Sequence, residues 1–251
     1  MNKLKLNNTS LSFLPILVCI PIGYQLITNL HLGGFKLFQE FLISAFNPKI
    51  DNEIIITVIN RINETILIGF FSWLVSIIFG AIFGILSSNI FYKIFNIPNF
   101  FYSIIRFFLT IIRSIHEVVW GILLMQIYGI NFSIGIIAIC IPYIAVNSKV
   151  FAEQLETIDY KSFESINQIN APKFSSLLTL IWNPIINTFK NFGLYRLECS
   201  IRSTVILGLF GIGGIGTSIF LSFQTLNFRE LWTYLWSLAI LIILSGLIFK
   251  K

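Results

Sequence analysis

Residues 63–88 read NETILIGFFSWLVSIIFGAIFGILSS, a run in which Glu64 is the one charged side chain. A helix needs roughly 20 apolar residues to cross about 30 Å of hydrocarbon, and this stretch is long enough to do so. Working outward, apolar runs of the same kind occupy about 11–30, 103–128, 132–157, 185–222 and 231–249. The run 185–222 is too long for one straight crossing. Composition agrees with this reading. The 251 residues are 56% hydrophobic and 11% charged, where soluble domains are about half apolar and a quarter charged, and the mean hydropathy is +0.85. The expected fold is therefore all-α: a polytopic membrane protein of about six transmembrane helices packed as a bundle in lipid.

The net charge of +6 would suggest nucleic acid in a soluble domain. In a chain this apolar it supplies anchoring charge, and no nucleic acid is expected. The start, MNKLKLNN followed by LSFLPILVCIPIGY, has the basic head and apolar body of a signal sequence but no small-x-small cleavage site, so a retained signal anchor is expected. Residues 1–60 then form an anchor helix and an external connecting segment, and residues 61–251 form the main bundle. Within the first part, LGGFKLFQEFLISAF carries a helical apolar stripe that suits either the outer membrane surface or an ordinary connector. Lys3, Lys5, Lys93, Arg106, Lys149, Lys161, Lys173, Lys250 and Lys251 flank the runs so that the positive-inside rule puts both termini in the cytoplasm, with Lys36, Lys49 and Arg61 running against it. Cys19, Cys140 and Cys199 show no pairing or ligand spacing and read as packing residues.

Between the fourth and fifth runs the chain turns polar: KSFESINQINAPKFSSLLTLIWNP over 161–184. Phe163, Ile166 and Ile169 share a helical side while Glu164 and Asn167 point elsewhere. Asn170, Ala171 and Pro172 break the run, because proline disfavours helix in the residue before it and lacks an amide donor. Phe174, Leu177, Leu178 and Ile181 begin a second amphipathic piece, expected to end near Asn183 and Pro184. The result is a bent helical pair too polar to sink into lipid.

At these positions the chain resembles the permease subunits of ABC importers, whose coupling loop starts Glu-Ala-Ala, has a Gly four residues after the second Ala, and ends Ile-x-x-Pro. Glu164, Ser165 and Ile166 stand at the start, Asn170 replaces the Gly, and Ile181 with Pro184 supplies the end. Asn is the residue other than Gly that best tolerates left-handed backbone angles. Two more stretches, RSIHEVVWGILL at 113–124 and LYRLECSIRSTVILGLFGIGGIG at 194–216, are similar to phosphonate-type importer permeases, with His116 where a Pro is usual. The likeness runs from about residue 60 to the C-terminus.

It implies a type I ABC importer permease (MetI-like) fold and a multi-pass protein of a bacterial cytoplasmic membrane. The partners implied are a second copy of the chain, a cytoplasmic ABC ATPase dimer and an external substrate-binding protein. The cargo implied is a phosphonate or a related phosphorus oxyanion such as phosphite, phosphate or a phosphate ester; a methionine-type solute is the other ABC reading. Phe163, Glu164, Ser165, Ile166, Asn170, Ala171, Pro172 and Phe174 would then couple to the ATPase within a loop at about 160–184, with Phe163, Ile166 and Phe174 filling an apolar groove and Glu164 meeting a basic residue of the partner.

Arg113, His116, Glu117, Arg196, Glu198 and Arg202 lie in or beside apolar runs, where ionised groups are costly and face the bundle interior. Glu198 precedes Arg202 by four residues, the favourable order for a helical ion pair. Arg113, Glu117, Arg196, Glu198 and Arg202 are candidates for an anion pathway. Gly80 and Gly84 form a GxxxG pair suited to close helix packing, with Gly69 and Ser76 adding small surfaces. GIGGIG at 211–216 satisfies GxGxxG formally, but no acidic residue follows at the required distance; Gly211, Gly213, Gly214 and Gly216 instead suit a tight bend.

No GxxxxGK[ST] occurs, so in the ABC reading ATP hydrolysis is expected of another chain. Enzymatic readings lack material: His31 and His116 are far apart, no HExxH or CxxC is present, and no nucleophile neighbours a base. No metal, cofactor or catalytic residue is expected. A multi-spanning membrane enzyme and an ATP-independent secondary transporter are the alternatives outside the ABC class.

Overall fold

The computed structural model describes residues 21, 32–98, 100–158 and 172–249. The described residues are helical, and the chain divides into two compact units, Met1–Asn47 and Pro48–Lys251. In the first, α1 (Leu32–Ser44) exposes Phe35, Phe38, Leu42 and Ile43. The expected anchor at 11–30 lies outside the described residues.

The second unit contains α2 (Asn52–Leu86), α3 (Asn89–Phe95), α4 (Phe100–Ser114), α5 (Glu117–Tyr128), α6 (Phe132–Glu156), α7 (Lys173–Thr188), α8 (Leu194–Gly208), α9 (Ile215–Gln224) and α10 (Phe228–Phe249). Among the described residues, α2, α6 and α10 are each long and apolar enough to cross a membrane, and α4 with α5 adds a fourth crossing if that pair is one span.

At the centre α2 packs along α6. Glycines make this contact possible: a Cβ on Gly80 would meet Cβ of Asn147 at 2.5 Å, and one on Gly84 would meet Cβ of Phe151 at 2.6 Å. On another side of α2, Gly69 lies against Ile201 of α8, and Ser200 Oγ donates to the Gly69 carbonyl at 2.6 Å. Two buried clusters fill the angles, one around Ile68, Ile139 and Leu207, the other around Trp73, Phe151 and Ile201. Phe70, Phe71, Ile78 and Ile82 point out of the bundle, which in lipid carries no penalty.

Several expected boundaries are corrected. The first helix of the bundle begins at Asn52, not 63, because Ile54, Val58 and Ile62 of the added turns pack into a cluster with Val205, Ile215 and Tyr234, while Arg61 pairs with Glu64 (2.8 Å). At 1.5 Å per residue it is ~50 Å long, more than the hydrocarbon requires. The run 103–128 is not one straight helix: α4 and α5 meet at 86°. His116 caps α5, its Nδ1 accepting from Val118 N. Arg113 in the last turn of α4 and Glu117 in the first of α5 each carry the sign that the adjoining helix end favours.

Nor does the amphipathic piece stop at Pro184. Helix α7 continues to Thr188 and passes through a π-helical turn, Phe189–Gly193, directly into α8. Burying Ile181 and packing Ile185 against both neighbouring clusters is worth about 1.5–3 kcal/mol per side chain, more than the roughly 1 kcal/mol net of one backbone hydrogen bond. Trp73 Nε1 donates to the Gly193 carbonyl at 2.6 Å, tying the π turn to α2. The excess length of 185–222 is taken up after Gly208, where Gly213 (φ 128°) and Gly214 (φ 75°) turn the chain back into the short helix α9.

Candidate functional site

Three elements converge on a cavity of about 360 Å³: the α4–α5 corner with Arg113, His116 and Glu117, the middle of α6 with Pro142, Tyr143 and Val146, and one side of α8 with Arg196, Cys199, Arg202 and Ser203. The 86° corner matters here, because it sets the last turn of one helix and the first turn of the next around a single space.

A directed hydrogen-bond chain lies in the wall. Ser203 Oγ donates to Glu117 Oε1 at 2.6 Å, which spends its only proton. The 2.8 Å contact between Ser203 Oγ and Tyr143 Oη must then be donated by the phenol. Glu117 thus accepts from Ser203 of α8, which in turn accepts from Tyr143 of α6, and its side chain is 13% exposed. Glu117 Oε2 also lies 3.5 Å from His116 Nδ1.

The guanidiniums are held differently. Arg196 lies over the Tyr143 ring, 3.9 Å from its centroid, with Phe192 at 5.8 Å. Its Nε is buried and lacks a hydrogen-bond partner among the described residues. Arg202 pairs with Glu198 one helical turn earlier. Arg113 donates to Thr110 Oγ1 at 3.3 Å and, among the described residues, has no carboxylate at ion-pair distance. Arg113, Glu117, Arg196 and Arg202 therefore line one region, with Glu198 outside the lining as the partner of Arg202, and leave it net positive, with unspent donors on Arg113 and Arg196. Such an arrangement suits a small oxyanion, since guanidinium N–H groups form strong charge-assisted hydrogen bonds to anionic oxygens.

Of the ATPase-facing candidates, Phe163, Glu164, Ser165, Ile166, Asn170 and Ala171 lie outside the described residues. Pro172 is exposed just ahead of α7, and Phe174 falls in the first turn of α7. The glycines fall in two places. Gly80 and Gly84 are in the α2–α6 contact, whereas Gly211, Gly213, Gly214 and Gly216 form the turn into α9. Two residues outside the candidate set hold that turn: Glu64 Oε2 accepts from Gly214 N at 3.0 Å, and Thr65 Oγ1 accepts from Ile215 N at 2.9 Å. A carboxylate at the start of a predicted span, 150 positions from the glycines, gave only its cost in lipid as a signal. Tyr143 and Ser203 were likewise invisible as site residues, being unremarkable in an apolar helix.

No family model matches the chain. It is 26% identical over 129 residues to the phosphite transport system permease protein PtxC of Stutzerimonas stutzeri, 51% of this chain and 47% of that one. With the phosphate-import permease protein PhnE of Mycolicibacterium smegmatis it shares 26% over 117 residues, 47% of this chain and 22% of that one. The chain spans about half the length, or less, of these relatives. In structure it is similar to the MetNI methionine ABC transporter in inward-facing conformations (TM-score 0.70, 15% identity, 80% of this chain and 96% of that one). It is also similar to an amino acid ABC transporter crystallised with histidines (TM-score 0.62, 14% identity, 81% and 95%). The chain thus has the all-α, polytopic fold of ABC importer permeases.

Proposed function

We propose that this chain is the membrane-spanning subunit of an ATP-driven ABC importer that carries phosphonate or a related phosphorus oxyanion, such as phosphite, phosphate or a phosphate ester, across a bacterial cytoplasmic membrane. The observation that carries the reading is the net-positive cavity at the α4–α5 corner, with Arg113 and Arg196 holding donors in reserve. The names of the relatives, phosphite and phosphate permeases, supply the phosphorus. A methionine-type cargo fits less well, because an apolar side chain would have to be desolvated among guanidiniums.

In this reading two copies of the chain enclose the pathway and a binding protein delivers the anion from outside. A separate ATPase dimer closes on ATP, and both termini are cytoplasmic. Residues 1–60 provide the anchor and external connection, and residues 61–251 form the working core. The elbow at 160–184 carries the ATPase motion inward, and its attachment fits that task. Helix α7 leads without interruption through the π turn into α8, so displacement at Pro172 would be delivered along one helical run to Arg196 and Arg202. The Gly193 carbonyl gripped by Trp73 is the point about which that run is held. The cavity residues take no part in bond making; they neutralise and pass on a charge that lipid excludes.

Glu164→Lys tests the coupling. The variant should insert in the membrane normally yet lose both the co-purifying ATPase and ATP-driven uptake. Normal ATPase retention by this variant would remove the docking role, and uptake driven by an ion gradient without ATP would replace the reading with a secondary transporter.

A further inference from the structure

A second, smaller cavity of about 110 Å³ lies between α4 and α6, and Arg113 belongs to its wall as well as to that of the larger one. Along α4 the smaller cavity extends back from Arg113 through Thr110 to Arg106; along α6 it extends forward from Ala145 to Lys149 and Glu153. The larger cavity touches α6 at Pro142, Tyr143 and Val146. Both helices therefore place the smaller cavity further toward the end of α6 that leads into residues 160–184.

The charges around it are unequally spent. Arg106 is committed: its Nε donates to the Ser87 carbonyl at 2.8 Å, its NH2 pairs with Glu156, and its guanidinium lies 5.2 Å from the Tyr102 ring centroid. Lys149 meets Glu153 only at 3.5 Å, both side chains being more than half exposed (51% and 58%), a contact that contributes little. Among the described residues Arg113 has no carboxylate at ion-pair distance. The apolar remainder of the lining raises the effective strength of whatever charge is left.

We propose that this cavity is a second phosphorus-oxyanion site, reached from the first by transfer across the shared Arg113 guanidinium and completed by Lys149. This rests on the transport reading above. An anion leaving the larger cavity need not be fully rehydrated before it meets its next cation. Two positions of moderate strength also release an anion more readily than one strong one, the requirement that conduction places on any pore. The same phosphate chemistry could be supplied by the headgroup of an anionic lipid lying beside α4, so the test separates the two sources.

The full chain is prepared in neutral detergent with Cys19→Ser and Cys199→Ser, leaving Cys140 buried, and Glu153→Cys, a lining position that leaves both Arg113 and Lys149 in place, is labelled with a negatively charged methanethiosulfonate. Inorganic phosphite should slow labelling severalfold, and adding Arg113→Gln should abolish that protection. Protection by phosphatidylglycerol in mixed micelles but not by phosphite would overturn the proposal in favour of a lipid site; no protection by either would overturn it outright. Lys149→Gln in the transporter assembled with its ATPase and binding protein should lower the maximal uptake rate severalfold without raising the half-saturating cargo concentration, and an unchanged rate would also contradict the proposal. If the assembled wild type carries no phosphorus oxyanion while phosphite still protects position 153, the transport reading fails and the site stands.

Discussion

The glycine turn before α9 and the arginine cavity beside α8 are joined by a single helix, yet they are built on opposite terms. In the turn side chains meet the backbone: Glu64 and Thr65 accept the amides of Gly214 and Ile215, Thr217 Oγ1 donates to the Gly214 carbonyl at 2.6 Å, and Gly216 fits directly against α8. In the cavity, donors are left over, with Arg196 Nε buried and unpartnered and Arg113 free of carboxylates among the described residues. A closed hydrogen-bond account marks a place that holds the fold; an open one marks a place waiting for something else. The contrast separates two sets of polar groups that composition alone cannot tell apart.

Breaking the turn should give the largest effect. A Cβ on Gly216 would lie 2.1 Å from the Val205 carbonyl oxygen, a backbone atom that cannot step aside. Gly216→Ala should cost about 3 kcal/mol or more, read as a loss of monodisperse protein in detergent, while Gly246→Ala, which meets nothing within 4 Å, should leave the thermal midpoint unchanged. Next, Glu64→Ala removes the acceptor of the Gly214 amide and should cost about 1–3 kcal/mol. The expected result is a lower midpoint, and hydrogen exchange should be faster in 211–217 than elsewhere.

In the cavity the order of effects inverts. Arg196→Gln should lower uptake about tenfold, equivalent to ~1.4 kcal/mol, while moving the midpoint far less than Glu64→Ala does. Equal losses of stability from both would erase the distinction.

The smallest effect lies at a peripheral pair. Hydrogen bonds from Lys49 to Glu230 (3.0 Å) and to Asp51 (3.4 Å) raise its pKa above the usual 10.5. Because the folded value is the higher one, the contribution is complete below the unfolded pKa and fades as pH rises through the folded value. Wild type should lose slightly more stability than Glu230→Gln between pH 9 and 11.5, taken as about one unit either side of a lysine pKa, with no difference between them in slope below pH 9. The pair is solvent-exposed, so the effect is minor.

Much of the bundle was legible because lipid allows so few solutions: apolar runs long enough to cross become helices. The glycines at 211–216 signalled a turn through their backbone freedom, and Glu198 with Arg202 paired at the spacing the sequence offers. What escaped depended on partners remote in sequence. The 86° corner at His116 lacks Pro or Gly and is fixed by a histidine cap and by helix-end charges, signals too local to stand out within an apolar run. Pro184 misled because its local preference to end a helix is outweighed by the packing of Ile181 and Ile185. The cavity was half legible. Its charges stood out against lipid, whereas Tyr143 and Ser203 acquire their roles only once packing brings Ser203 of α8 to Glu117 and Tyr143 of α6 to Ser203.

Initial rates of phosphite uptake into proteoliposomes holding this chain with its ATPase and binding protein test the central claim most directly. ATP-dependent accumulation, abolished when the ATPase cannot hydrolyse and reduced about tenfold by Arg196→Gln, is the result this account predicts. Accumulation that proceeds without nucleotide, or that is indifferent to the charge at position 196, would contradict it.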